Sequence, residues 1–145
     1  MKKLFFSVCA AALLLFSACS KDDENFSEMT PEGTKASIIG TWESVQQEWT
    51  YKKGAQETSW IVKDKSSDTF KSDNTVIERG YDENNQAYEY TFNWRLEDNT
   101  LIIYNDGVYR LYVIEKLTKD ELILSYSESA EDGSSYYVRY LAQRK

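Results

Sequence analysis

Histidine is absent from all 145 residues. That removes the Ser-His-Asp and Cys-His arrangements of nucleophilic catalysis, and most zinc and copper sites, which depend on imidazole. Cysteine is almost absent: Cys9 and Cys19 are the only two, and none follows residue 19. The chain beyond that point therefore has no thiol nucleophile and no disulfide. Proline occurs once, at Pro31. Beyond the N-terminus no segment approaches the roughly 20 apolar residues of a membrane-spanning helix. Positive charge is in short supply, with 17 Lys and Arg against 24 Asp and Glu and a net charge of −7. No basic patch is dense enough to reverse that balance, so nucleic acid and anionic lipid surfaces are excluded as partners. Carboxylates, tyrosine, lysine, serine and threonine are what remain for chemistry.

The N-terminus has its own pattern. Lys2 and Lys3 precede an apolar stretch from Leu4 to Phe16, interrupted only by Ser7 and Cys9, and the small residues Ser17 and Ala18 lead into Cys19. The stretch is too short to span a bilayer and suits a cleaved signal. The run Phe16-Ser17-Ala18-Cys19 resembles the lipobox of bacterial lipoproteins, with Phe where Leu is usual. The resemblance implies that residues 1–18 are removed and that Cys19 becomes a lipidated first residue, diacylated on sulfur and acylated on nitrogen. Several acyl chains make a firm anchor where one alone is marginal. The alternative is an ordinary secretory signal with an incidental cysteine. Ser20-Lys21-Asp22-Asp23-Glu24-Asn25 resembles the acidic export signal that some Gram-negative bacteria place after the lipidated cysteine. It implies an outer-membrane, cell-surface location. Loss of Lys2 and Lys3 lowers the basic count from 17 to 15 against an unchanged 24 acidic residues, taking the net charge from −7 to −9.

Residues 19–37 are polar and read as an acidic flexible tether. Residues 38–145 form one domain, long enough to bury a core without covalent staples. They are rich in Tyr, Trp, Val, Ile and Thr, which suit pleated, half-buried surfaces. No window carries a helical stripe of ten residues. Alternation is clearest from Tyr88 to Leu96, where Tyr88, Tyr90, Phe92, Trp94 and Leu96 share one face. Turn residues punctuate the rest: Ser72-Asp73-Asn74, Asp82-Glu83-Asn84-Asn85, Asp98-Asn99, Asn105-Asp106-Gly107, Lys119-Asp120 and Glu131-Asp132-Gly133. Strands are expected near 38–51, 58–63, 67–71, 75–80, 87–96, 100–104, 108–117, 121–127 and 135–143. The fold class is all-β. An antiparallel up-and-down meander of about eight strands removes its exposed edges by closing into a barrel.

Gly40-Thr41-Trp42 at the start of the first strand resembles the Gly-x-Trp signature of lipocalins. Together with Leu117-Thr118-Lys119-Asp120-Glu121-Leu122, it makes the domain similar to the short lipocalin-like domains of bacterial lipoproteins. The resemblance implies that Gly40 and Trp42 stand at the closed base of the barrel with an arginine across the indole. Arg139 or Arg144 is the candidate for that arginine, and the sequence does not choose between them. The first strand poses a puzzle. If Trp42 points inward, strict alternation sends Ser44, Gln46 and Glu48 inward and Val45, Trp49 and Tyr51 outward. Either a bulge flips the register near Glu43, or polar groups line the mouth.

Tyr88, Tyr90, Phe92 and Trp94 are candidate ligand contacts or, alternatively, core filling; an eight-stranded barrel has room for either. The acidic pairs Asp82-Glu83, Asp120-Glu121 and Glu131-Asp132 sit in turns, where solvated turn chemistry accounts for them. Tyr109, Tyr112, Tyr136, Tyr137 and Tyr140 leave aromatics on both faces, so the outer ones are either a contact patch or ordinary strand formers. The expected function is non-enzymatic: a monomeric, lipid-anchored barrel binding a small apolar or amphipathic ligand, without catalytic residues, metal or cofactor. A filled barrel serving as an interaction module of an envelope complex is the alternative. A small hydrolase or isomerase working through Tyr and carboxylates is a weaker third reading.

Overall fold

The computed structural model describes residues 35 and 37–145. The expected signal segment 1–18, the expected lipid site at Cys19 and the expected tether up to Thr34 lie outside the described residues. Nine strands follow one another: β1 (Gly40–Lys53), β2 (Gln56–Val62), β3 (Ser67–Phe70), β4 (Thr75–Tyr81), β5 (Ala87–Glu97), β6 (Thr100–Asn105), β7 (Val108–Leu117), β8 (Glu121–Ser129) and β9 (Ser134–Arg144). All pairings are antiparallel, and β9 returns to pair with β1 along most of its length. The first half of β1 pairs with β3 at Gly40↔Phe70, and the second half with β2 at Trp49↔Trp60. Eight strands therefore close the cylinder, while β2 stands outside the ring as one arm of a hairpin. This is the closed meander that the alternation and turn signals called for.

The turns follow from local chemistry. Asn105↔Val108 pairing leaves Asp106 and Gly107 as a two-residue loop, both with positive φ (39° and 88°). That is the geometry Asp-Gly tolerates best. Asp98, with φ 52°, serves the loop between β5 and β6 in the same way.

One end of the barrel is closed. Trp42, Phe70, Val76, Trp94, Leu101, Ile114 and Leu122 are buried there, and Ile38 caps them from the segment ahead of β1. The Trp94 ring meets Phe70 edge-on at 5.5 Å. Its indole N–H donates to the carbonyls of Thr75 and Lys71 at 3.0 and 3.2 Å. The Trp42 N–H donates to the Ile38 carbonyl at 2.8 Å. Arg144 lies over Trp42, its guanidinium carbon 4.2 Å from the ring centroid. The same guanidinium donates to the carbonyls of Ile39 (2.8 Å), Lys119 (2.6 Å) and Ser37. Gly40 explains its place in the Gly-x-Trp triplet. Its φ is +137°, and a Cβ there would collide with an Arg144 guanidinium nitrogen. Only glycine allows both the backbone angle and the approach.

The base arginine is thus Arg144, and the expectation for Arg139 is corrected. Val138 and Tyr140 face the interior, so alternation turns Arg139 to the outside. There it pairs with Glu48 at 2.7 Å and Glu115 at 2.8 Å. Glu115 also accepts from the Tyr137 hydroxyl.

The puzzle of the first strand resolves through a bulge. Ser44 pairs with Ala142 but Gln46 with Leu141, so Val45 is an extra residue. Trp42 and Ser44 point inward before it. After it the parity is reversed, and Gln47, Trp49 and Tyr51 point inward. A second bulge at Glu115 interrupts the pairing of β7 with β8.

Gly40→Ala is expected to destabilise the fold by about 2–4 kcal/mol, through backbone strain and displacement of the guanidinium. Arg144→Ala is expected to cost about 2–3 kcal/mol, because it strips three carbonyls and an indole face at once. Arg139→Ala, a half-exposed pair on the outer wall, is expected to cost no more than about 1 kcal/mol. Urea unfolding followed by tryptophan fluorescence ranks the three.

Candidate functional site

Above the closed base the barrel keeps an internal cavity of about 190 Å³. Trp42, Ile103, Leu122, Leu124 and Ala142 form its floor and one side. The remainder is polar. Asp68 from β3, Glu78 from β4, Tyr88 from β5, Arg110 and Tyr112 from β7 and Tyr140 from β9 all reach it, with Ser44 and Gln47 from β1. The register explains the convergence. Asp68 pairs with Trp42 on one side and Glu78 on the other, and cross-strand partners share a face. Two carboxylates thus stand directly opposite each other inside the barrel.

Their partners differ. Glu78 receives Arg110 at 2.9 Å. That guanidinium also lies 4.5 Å over the Phe92 ring. Asp64, at the rim, accepts from Gln47 Nε2 at 2.8 Å and from the Ser66 hydroxyl at 2.6 Å. Asp68 has neither an ion-pair nor a hydrogen-bond partner among the described residues. Burial raises its pKa to about 7, and repulsion from Glu78 raises it further than Arg110 lowers it. Burial pushes the Tyr112 phenol up to about 12. It raises Tyr140 as well, with the neighbouring Tyr112 and Tyr126 adding to the effect. These three tyrosines form a ring cluster with centroids 5.7–6.1 Å apart.

The cavity opens outward. A groove of about 660 Å³ shares Ser44, Asp64, Ser66, Ser67 and Tyr88 with it and extends to Gly80, Tyr81 and Ala87. The opening exists because β3 is only four residues long and reaches β1 no further than Glu43. Beyond the bulge, the inner face of the β1–β2 hairpin rises past the cavity as an aromatic shelf. Trp49 stacks on Trp60 at 6.0 Å, and Tyr136 meets Trp49 at 6.5 Å and Tyr51 at 5.1 Å.

The four aromatics singled out in β5 are graded from base to mouth. Trp94 is 0% exposed and belongs to the closed end. Phe92 is half-buried beneath Arg110. Tyr90 is 56% exposed, because β6 stops at Asn105 and leaves β5 unpaired on that side from Phe92 upward. Tyr88 alone of the four lines the cavity. Its ring lies on Gly80 across the β4–β5 ladder, where any Cβ would strike the phenol. The acidic pairs in turns stay at the surface: Asp132, for example, caps Ser134 and pairs with Lys53 at 2.6 Å. The polar residues of the cavity were missed in the sequence. The one signal available was period two itself, which puts Asp68 and Glu78 in phase with the buried Phe70 and Val76. Among the described residues no set of three His, Cys, Asp or Glu is placed to hold a metal ion.

A barrel of eight antiparallel strands, plugged at one end by a Gly-x-Trp strand and an arginine and hollow at the other, has lipocalin architecture. The chain belongs to the lipocalin-like domain family, whose model matches residues 38–124. Apocrustacyanin C1 shares the fold at a TM-score of 0.58 and 13% identity, over 81% of this chain and 65% of that one. Lobster apocrustacyanin A1 is similar at 0.56 and 12%, over 76% and 62%. A lipocalin-like protein from Bacteroides uniformis ATCC 8492 aligns at 0.47 and 17%, over 71% of this chain and 97% of its own. No curated protein matches the sequence.

The uncompensated Asp68 has a stability consequence. Its folded pKa, about 7, lies above the ordinary 3.8. The folded state therefore binds the extra proton, and stability falls as pH rises from about 4 through about 7, with the full penalty present above that window. Asp68→Asn carries no such penalty. It is expected to be more stable than the native protein at about pH 8, by on the order of 2 kcal/mol, with the difference closing toward about pH 4. Urea midpoints at the two pH values measure the effect.

Proposed function

We propose that this protein is a non-enzymatic ligand-binding barrel, anchored to the outer membrane through lipid on Cys19 and displayed at the cell surface. Its ligand is a small amphipathic molecule. The observation that carries the reading is the continuity of the internal cavity with the groove at the open end. The cavity alone is smaller than the roughly 300–1,000 Å³ of drug-sized ligand pockets. It suits the end of a ligand whose remainder lies in the groove and against the Trp49–Trp60 shelf. Tryptophan and tyrosine offer an apolar body with one polar edge, which matches such a molecule. The Phe16-to-Cys19 lipobox and the acidic residues after it support the anchoring half of the reading. Binding in this barrel needs no nucleic acid, metal or cofactor.

A second reading, an interaction module, has one observation in its favour. Tyr109, Leu111 and Val113 alternate outward on β7 and are largely exposed. Native mass spectrometry of the protein purified from its own cells separates the two. A co-purifying small molecule, absent from an Ala142→Phe variant that fills the cavity floor, is the expected result. A uniformly apo mass, together with a protein partner lost on Leu111→Arg, selects the interaction module. For the anchor, Cys19→Ala is expected to release a folded barrel into the periplasmic fraction, whereas the native protein sediments with membranes. A variant still in the membrane pellet refutes lipid attachment at that residue.

A further inference from the structure

We propose that the deep cavity takes the protonated amine end of its ligand, with Asp68 as the counter-ion and the Ser44 hydroxyl as a second acceptor. This rests on the ligand-binding reading above and adds the charge of the group that enters.

Charge inside the barrel is unbalanced. Among the described residues Arg110 is the only basic one lining the cavity, and its guanidinium is committed to Glu78 and stacked on Phe92. Asp64 is satisfied by Gln47 and Ser66. Asp68 is left facing the void with another carboxylate directly opposite. A half-buried carboxylate without a partner is costly, and so are like charges in direct cross-strand register. A cation between Asp68 and Glu78 would relieve both.

A second observation points to the same spot. Ser44 lines the cavity, and its Oγ, closed off from solvent, has no hydrogen-bond partner among the described residues. Buried hydroxyls normally find one. An ammonium group carries three donors, enough for a carboxylate, this hydroxyl and one more acceptor. The walls suit a cation as well. Tyr88, Tyr112 and Tyr140 line the cavity, and aromatic faces attract cations most when water is excluded. A metal ion is the poorer candidate, because hard divalent ions require about six or more oxygen ligands, and no metal-binding cluster exists among the described residues. Size also fits. A cavity of about 150 Å³ holds benzene, so about 190 Å³ holds an aminomethyl group on a small ring. The net charge of −7 favours the approach of cations over anions.

The test uses three probes of one shape and different charge: benzylammonium, benzyl alcohol and benzoate, titrated by calorimetry into the full-length protein in detergent. Benzylammonium is expected to bind at least about tenfold more tightly than benzyl alcohol, and benzoate not measurably. Asp68→Asn is expected to weaken the amine by about tenfold or more while leaving the alcohol unchanged. Folding of that variant is checked by its urea midpoint. Amine affinity should also rise about tenfold from about pH 5.5 to about pH 8, as Asp68 ionises among Asp64, Glu78, Tyr88, Arg110, Tyr112 and Tyr140. The phenols of Tyr88, Tyr112 and Tyr140 and the Arg110 guanidinium are all shifted upward from their ordinary values, so none of these four changes charge in that window. Equal or tighter binding of the alcohol, or an amine preference that survives Asp68→Asn, overturns the inference and leaves a neutral-ligand cavity. No binding by any probe also overturns it, and the native mass measurement then decides whether the ligand-binding reading falls with it.

Discussion

The Arg144 guanidinium pressed on the Trp42 indole is the contact on which the rest of this barrel depends. It joins the first strand to the end of the last, and through the Ser37, Ile39 and Lys119 carbonyls it ties in the capping segment and the β7–β8 turn. An antiparallel meander has two free edges until its ends meet, and closure removes them. The residue that makes this contact possible has no side chain. Gly40 leaves the space that the arginine fills. With the base sealed by large rings, Trp94 and Phe70 among them, the remaining interior volume is pushed toward the other end.

That remaining volume breaks the usual rule for a protein interior. Asp68, Glu78, Arg110 and three tyrosines occupy positions where apolar side chains would pack at lower cost. Arg110 and Glu78 compensate each other, but Asp68 is stored in an unfavourable state. Such a residue lowers stability once it is ionised. Strand length and register shape the rim. The four-residue β3 interrupts the wall, and the Val45 bulge turns Trp49 and Tyr51 inward, converting what would be outer-surface aromatics into a shelf over the mouth.

Much of the fold was legible in the residues. The alternation in Tyr88 to Leu96, the Asp-Gly turn at 106–107 and the spacing of turn residues placed all nine strands within a few residues of their observed limits. The Gly-x-Trp triplet located the closed end. The base arginine was harder, because Arg139 and Arg144 differ by five positions and so fall on opposite faces of a strand. Choosing between them requires the phase of β9, which is set by Val138 and Tyr140 packing inside. The β5 aromatics were visible as a stripe, but which of them would meet the cavity depended on where β6 ends, a property of the neighbouring strand.

From the chain alone came the chemistry that is ruled out and the period-two pattern that makes a closed β structure the economical solution. These are local properties: composition, short motifs and alternation act over a few neighbouring residues. Only the tertiary structure decided that β2 leaves the ring, that Val45 is the extra residue, that Arg144 seals the base, and that Asp68 and Glu78 stand side by side on the cavity wall. Each of these is set by register between strands far apart in sequence. A shift of one residue in a β ladder exchanges inside for outside, and no local pattern records which shift the closed barrel adopts.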